Sequence, residues 1–187
     1  MKNIILFTIL IIGIKCKAQV YPLTTDTDVP NNTYIKDTNN DLPAFEGTWK
    51  GTWNGKALLI NFKKIEHYLD THLKNNPFYR DLLVGKFQVK DPSGNILFDN
   101  LSIADNSAKI TGGKIFPNGK YVLSYVDPEL CFKGGRIFIE FTNSSKTEIK
   151  FKFMETSNLI DTDCFYHGKP ADQRPEPLPK EIILIKQ

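Results

Sequence analysis

Cys131, Cys164 and His167 bear the most reactive side chains in the sequence, and Asp161 and Asp163 stand beside the second cysteine. A cysteine close to a histidine can supply a nucleophilic thiolate, provided the thiol is free and its pKa is lowered. The same three side chains are the natural nitrogen and sulfur donors for zinc, which asks for four ligands at recognisable spacings. Pairing of the two cysteines is the third possibility, and it needs only an oxidising compartment. They flank the strongest hairpin pattern in the chain, whose strands return to their start. A Cys131–Cys164 disulfide is therefore expected. It would close a loop worth about 3.5–4 kcal/mol on the chain-entropy account. No metal, no cofactor and no catalytic residue is assigned.

Other chemistry is thinly signalled. Asp127, Glu129, Glu140, Glu155, Asp161 and Asp163 could include the two carboxylates of a glycoside hydrolase. A hydrolase, through such a pair or through Cys164 and His167, stands third among the readings, because any exported protein carries as many acids. His67 and His72 would lie about 140° apart on a helix, so they make no ligand pair. Gly-x-Ser-x-Gly, P-loop and dinucleotide fingerprints are absent from the sequence.

The run Gly-Thr-Trp-Lys-Gly-Thr-Trp over 47–53 is the most unusual local feature. Alternation places Trp49 and Trp53 on one face of a strand, roughly 13 Å apart. With Phe62 on the following strand, they can floor a cavity for a small apolar ligand. They can equally plug one end of a closed core, and large aromatics more often serve packing.

The elements that must position these residues are strands. Period-two alternation runs through 45–53, 57–64, 82–90, 95–99, 109–116, 120–126, 135–142, 147–155 and 181–186. Turn sequences separate them, among them Asn54-Gly55, Pro92-Ser93-Gly94-Asn95 and Pro117-Asn118-Gly119. Only 65–73 departs: Ile65, Leu69, His72 and Leu73 sit at helical spacing, which predicts one short helix. About nine strands with little helix predict an all-β antiparallel barrel, with a β-sandwich as the alternative.

Length and charge bound the rest. The 187 residues suit one domain with its own core. The net charge of +3 comes from 24 basic and 21 acidic residues. Lys2, Lys15 and Lys17 lie in the first eighteen, and removing those three leaves 21 basic residues against 21 acidic ones. A balanced chain offers no basic surface for nucleic acid.

Residues 1–18 read as an export signal, with Lys2, an apolar run over 4–14 and cleavage before Gln19. Eleven apolar residues span about 17 Å as a helix, too short for a membrane core, so no transmembrane segment is expected in the mature chain. The alternative is a lipoprotein anchored through Cys16. Residues 19–43 are rich in Thr, Asp, Asn and Pro and read as a flexible polar leader. A single β domain is expected over 44–187.

Gly47-Thr48-Trp49, on the first strand of a small exported β-protein, resembles the lipocalin (calycin) signature. The resemblance implies a barrel of about eight strands. In it the first-strand Trp packs at the closed end, beneath a basic residue from a late strand. The last strand here offers Lys186, where the family usually has Arg. Over nearly its whole length the chain also resembles a family of small exported bacterial proteins of unknown function. That likeness lies in 42–49, in Gly94-Asn95-Ile96-Leu97-Phe98-Asp99 and in Cys131-Phe132-Lys133-Gly134-Gly135-Arg136. It implies a compartment and a class, with no activity attached. The expected protein is non-enzymatic and binds a small apolar ligand; the alternative is a protein-interaction or inhibitor module of the cell envelope whose barrel core is filled.

Overall fold

A computed structural model describes residues 19–26, 28–71, 76–156 and 162–187. The strands are β1 (Val20–Pro22), β2 (Tyr34–Lys36), β3 (Gly47–Trp53), β4 (Lys56–Asp70), β5 (Phe78–Lys90), β6 (Ile96–Asp99), β7 (Ile110–Ile115), β8 (Tyr121–Asp127), β9 (Lys133–Phe141), β10 (Glu148–Glu155) and β11 (Glu181–Lys186). Eight of them form a closed antiparallel barrel in the order β5-β4-β3-β11-β10-β9-β8-β7, and β7 returns to β5 through Val84/Thr111 and Gly85/Ile110. The fold is the barrel that the alternation predicts, not the sandwich.

Local chemistry explains the hairpins. Asn54 and Gly55 both take positive φ, 48° and 77°, which is the turn that matches strand twist between β3 and β4. β5 serves three partners in succession along its second edge: β2 at Tyr34/Tyr79, β7 at Val84/Thr111, and β6 at Gln88/Asp99. Where β7 leaves β5, the buried Asn100 takes over. Its side-chain oxygen accepts from the Phe87 N–H at 2.6 Å, and its own N–H donates to the Phe87 carbonyl at 3.0 Å.

The helix expected over 65–73 does not form where the chain is described. Ile65 to Asp70 continue β4, with a register shift between Ile65 and Tyr68 and with His67 at φ 53°. An inserted residue breaks the period of two, and the broken alternation looks like helical spacing. His72 and Leu73 lie outside the described residues.

The described part of 19–43 (19–26 and 28–43), expected to be a flexible polar leader, is built onto the barrel. β1 and β2 pair in parallel, β2 adds to β5, and Leu23, Val29, Ile35 and Leu42 are buried. Polar contacts supply what the composition lacks. The buried Asp81 carboxylate accepts from the Tyr34 hydroxyl at 2.5 Å and from the main-chain N–H of Asp37 and His67 at 2.9 and 3.0 Å. Asp37 in turn accepts from the N–H groups of Asp41 and Leu42, with the Lys64 ammonium 3.4 Å away. Burial works against ionising Asp81, but the Tyr34 hydroxyl and the two amides prevail and hold its carboxyl below the ordinary value.

The barrel interior is occupied by side chains. Trp49, Ile60, Phe62, Phe87, Tyr121, Tyr125, Ile137, Ile139, Ile149, Phe151 and Leu184 are all essentially inaccessible and belong to one cluster. Gly112 is required by this packing, because a Cβ there would fall 2.0 Å from the Tyr121 hydroxyl. Burial pushes that hydroxyl up to about 12. No helix among the described residues is long and apolar enough to cross a membrane.

Candidate functional site

The two tryptophans, alike in sequence, have different fates. Trp49 is fully buried at one end of the barrel. Its indole N–H donates to the Phe45 carbonyl at 2.7 Å, and its ring lies 6.3 Å from that of Phe141. Phe45 stacks on Phe141 at 4.3 Å, so three aromatics seal this end. Lys186, directly opposite Trp49 on β11, holds its ammonium 5.3 Å from the indole and donates to the Ala44 carbonyl. The expected arrangement of a first-strand Trp under a late-strand cation is thus present, with Lys in place of Arg. Phe62 is buried within the cluster.

Trp53 emerges at the opposite end. It is half-buried and lines a cleft of about 710 Å³ with Phe153, Met154, Leu178 and a charged margin of Lys133, Glu155, Glu176, Lys180 and Glu181. The Pro-rich stretch before β11 packs here through Pro177, Leu178 and Pro179, which are buried.

The same end bears the disulfide. Cys131 and Cys164 are bonded, with Cα atoms 5.7 Å apart. This is the expected bridge, and it removes the thiol that a Cys164–His167 nucleophile or a zinc site would need. His167 is exposed and donates its main-chain N–H to the Cys164 carbonyl. Asp163 is exposed, Asp161 lies outside the described residues, and among the described residues no three metal-ligating side chains cluster.

Each half-cystine is followed by a solvent-facing phenylalanine. Phe132 is 72% exposed and Phe165 75%. Each is one residue from the bond, so their Cα atoms lie within about 13 Å of one another. Cys131 and Phe132 both adopt left-handed backbone, at φ 56° and 58°. That conformation is costly for bulky residues and points to a constraint other than local propensity. The Lys169 ammonium caps the Phe165 ring at 3.9 Å. On the adjoining barrel strands β8 and β10, Val126 and Met154 are also exposed. The sequence signal for this rim was slight: an aromatic after each cysteine.

Four of the candidate carboxylates, Asp127, Glu129, Glu140 and Glu155, are tied to lysines. Asp127 is buried, accepts from the Tyr125 hydroxyl at 2.9 Å and pairs with Lys109 at 2.8 Å, and Lys109 also reaches Glu129. Burial opposes the Lys109 charge, but these two carboxylates hold the ammonium above its ordinary value, and Lys109 holds Glu129 below its own. In the cleft Glu155 pairs with Lys133 at 2.6 Å, and Glu181 with Lys150 at 2.9 Å. The bond to Lys150 lowers the Glu181 carboxyl. A general acid needs the reverse shift, which neither Glu129 nor Glu181 shows.

A family model described as a family of unknown function (DUF6705) matches residues 1–187, and the chain belongs to that family. No curated protein and no solved structure matches the chain.

Proposed function

Starting from membership of a family whose function is unknown, we propose that this protein is an exported, non-enzymatic module that binds another protein through the disulfide end of its barrel. The observation that carries this reading is the pair Phe132 and Phe165, each more than two-thirds exposed and braced by one covalent bond. Exposed aromatics on a rigid support are the usual anchors of protein interfaces, and a fixed backbone limits the entropy lost on binding. Val126 and Met154 extend the apolar surface beside them.

A small apolar ligand inside the barrel has less support, because the interior positions carry Trp49, Phe62, Phe87, Tyr121, Tyr125 and Phe151. Export fits the disulfide, which persists in oxidising compartments. In this reading 1–18 is the signal peptide, cleavage falls before Gln19, and 19–187 is the mature protein.

The test places a photo-crosslinking phenylalanine analogue at position 132 or 165 in the native host, with position 118 at the far turn as control. Discrete adducts from 132 and 165 and none from 118 are expected. Native mass spectrometry of the same material should show the bare protein mass. A retained small molecule, with no adduct from either phenylalanine position, would overturn the proposal in favour of a ligand-carrying barrel.

A further inference from the structure

Outward-facing residues of β3, β4, β5 and β11 enclose a hollow of about 490 Å³ on the barrel wall. Alternation turns Lys50 and Thr52 outward on β3 and Ala57 and Leu59 outward on β4, because Trp49, Leu58 and Ile60 between them are buried. Thr52 and Ala57 stand directly opposite each other, and both are short. Longer side chains surround them: Lys50 between Leu59 and Ile185, and Lys90 opposite Ala57. A Cβ on Gly51 would point inward at Ile182 and Leu184, so main chain floors the dip there. Its walls are largely hydrocarbon, and the exposed Ile183 continues the apolar surface along β11.

The side chains that line this hollow include two ammonium groups, Lys50 and Lys90, and no carboxylate. Neither lysine makes an ion pair among the described residues, with a side chain or with the terminal carboxylate of Gln187 at the rim. Asp99 is bonded to the Leu101 amide and the Gln88 side chain, and it acts on Lys90 only at longer range. The neighbouring hollow of about 460 Å³, which shares Leu59, is different. There Asp105 sits between Lys63 and Lys86 and meets each ammonium at 2.6 Å. One wall of the barrel thus carries two lysine-rimmed hollows, and only one of them contains its own carboxylate.

We propose that the hollow at Thr52 and Ala57 binds a single-chain amphiphile with an anionic head. The head would do at Lys50 or Lys90 what Asp105 does next door, and the tail would lie over Ala57, Leu59 and Ile185. The two lysines occupy diagonal corners, with Cα atoms roughly 12 Å apart from strand spacing and rise. Whichever ammonium takes the head, the stem of the other can line the tail with its own charge in water. The volume falls within the range of ligand sites, about 300–1,000 Å³. This site lies on the outer wall, apart from the filled interior, and is independent of the protein interface proposed at the disulfide end. It opens to solvent, so such a ligand exchanges and purified protein should be free of it.

The test titrates the protein at neutral pH with decanoate, decanol and decyltrimethylammonium, by calorimetry and by amide chemical shifts. Decanoate should bind, decanol about tenfold or more weaker, and the cation not at all. Octanoate, two methylenes shorter, should bind about tenfold weaker than decanoate. Shifts should gather at 50–52, 57–59, 88–90 and 185. Lys50→Glu/Lys90→Glu should weaken decanoate about tenfold or more, and Ala57→Phe, which fills the dip, should prevent binding. Phe132→Ser/Phe165→Ser should leave it unchanged, which separates failure here from failure of the disulfide-end interface. Equal affinity for the three amphiphiles, shifts confined to the Trp53 cleft, or no binding of decanoate would overturn the proposal. So would capture by phosphatidylglycerol vesicles without binding of free decanoate, which would make this wall a membrane-docking face.

Discussion

Replacing Trp49 by alanine should unfold much of the population, whereas the same change at Trp53 should not. Truncating a fully buried Trp costs about 3–5 kcal/mol in transfer and cavity terms. The loss also strands the Phe45 carbonyl, which accepts the indole N–H at 2.7 Å, for about 1 kcal/mol or more. Lys186 loses the ring over which it sits, a contact of about 0.5–2 kcal/mol. The total, about 4.5–8 kcal/mol, is comparable with the whole stability of many domains, about 5–15 kcal/mol. Trp53 is half-exposed, and its truncation should cost under about 2 kcal/mol. Urea unfolding of both variants beside the wild type measures the difference. With a typical slope of about 2 kcal/mol per molar, Trp49→Ala should lower the midpoint by about 2 M or more. Trp49→Phe, which keeps most of the apolar volume but not the N–H, should fall between. Equal midpoints for Trp49→Ala and Trp53→Ala would refute the plugged-end account.

Reducing the disulfide, or substituting Cys131→Ser, should cost about 3–4 kcal/mol, and alkylation without prior reduction should label neither cysteine; labelling of both would show the bond absent. Asp81 makes stability pH-dependent: its folded carboxyl titrates below the ordinary value near 4, so its contribution is complete above that pH and fades as pH falls below it. Asp81→Asn should lose about 2–3 kcal/mol at neutral pH and flatten the acid limb of the stability profile, and an unchanged acid limb would count against the role given to Asp81. Asn100→Ala should cost about 1–3 kcal/mol by leaving the Phe87 N–H buried without its acceptor, seen as a lower thermal midpoint. Intact-mass measurement of secreted material should give residues 19–187; a diacylated chain beginning at Cys16 would replace the free protein with a lipoprotein.

Strand alternation, turn residues and two cysteines flanking one hairpin were sufficient to read nine strands, the Asn54-Gly55 turn, the barrel class and the Cys131–Cys164 bond. These features repeat over short stretches of chain, where side-chain period and backbone sterics act on their own. Gly47-Thr48-Trp49 and Lys186 likewise foreshadowed the plugged end, because a fixed register sets them opposite each other. Three other features depend on residues far apart in sequence. The bulge at 66–67 and the docking of 19–43 both depend on Asp81, whose carboxylate gathers Tyr34, Asp37 and His67 from separate segments. Composition alone sees only a polar stretch there, since the apolar anchors are sparse and the bonds that secure them are long-range. The close approach of β11 to Gly51 is likewise invisible locally. Both strands have ordinary alternating sequences, and only closing an eight-stranded barrel brings the Ile183 carbonyl against Gly51.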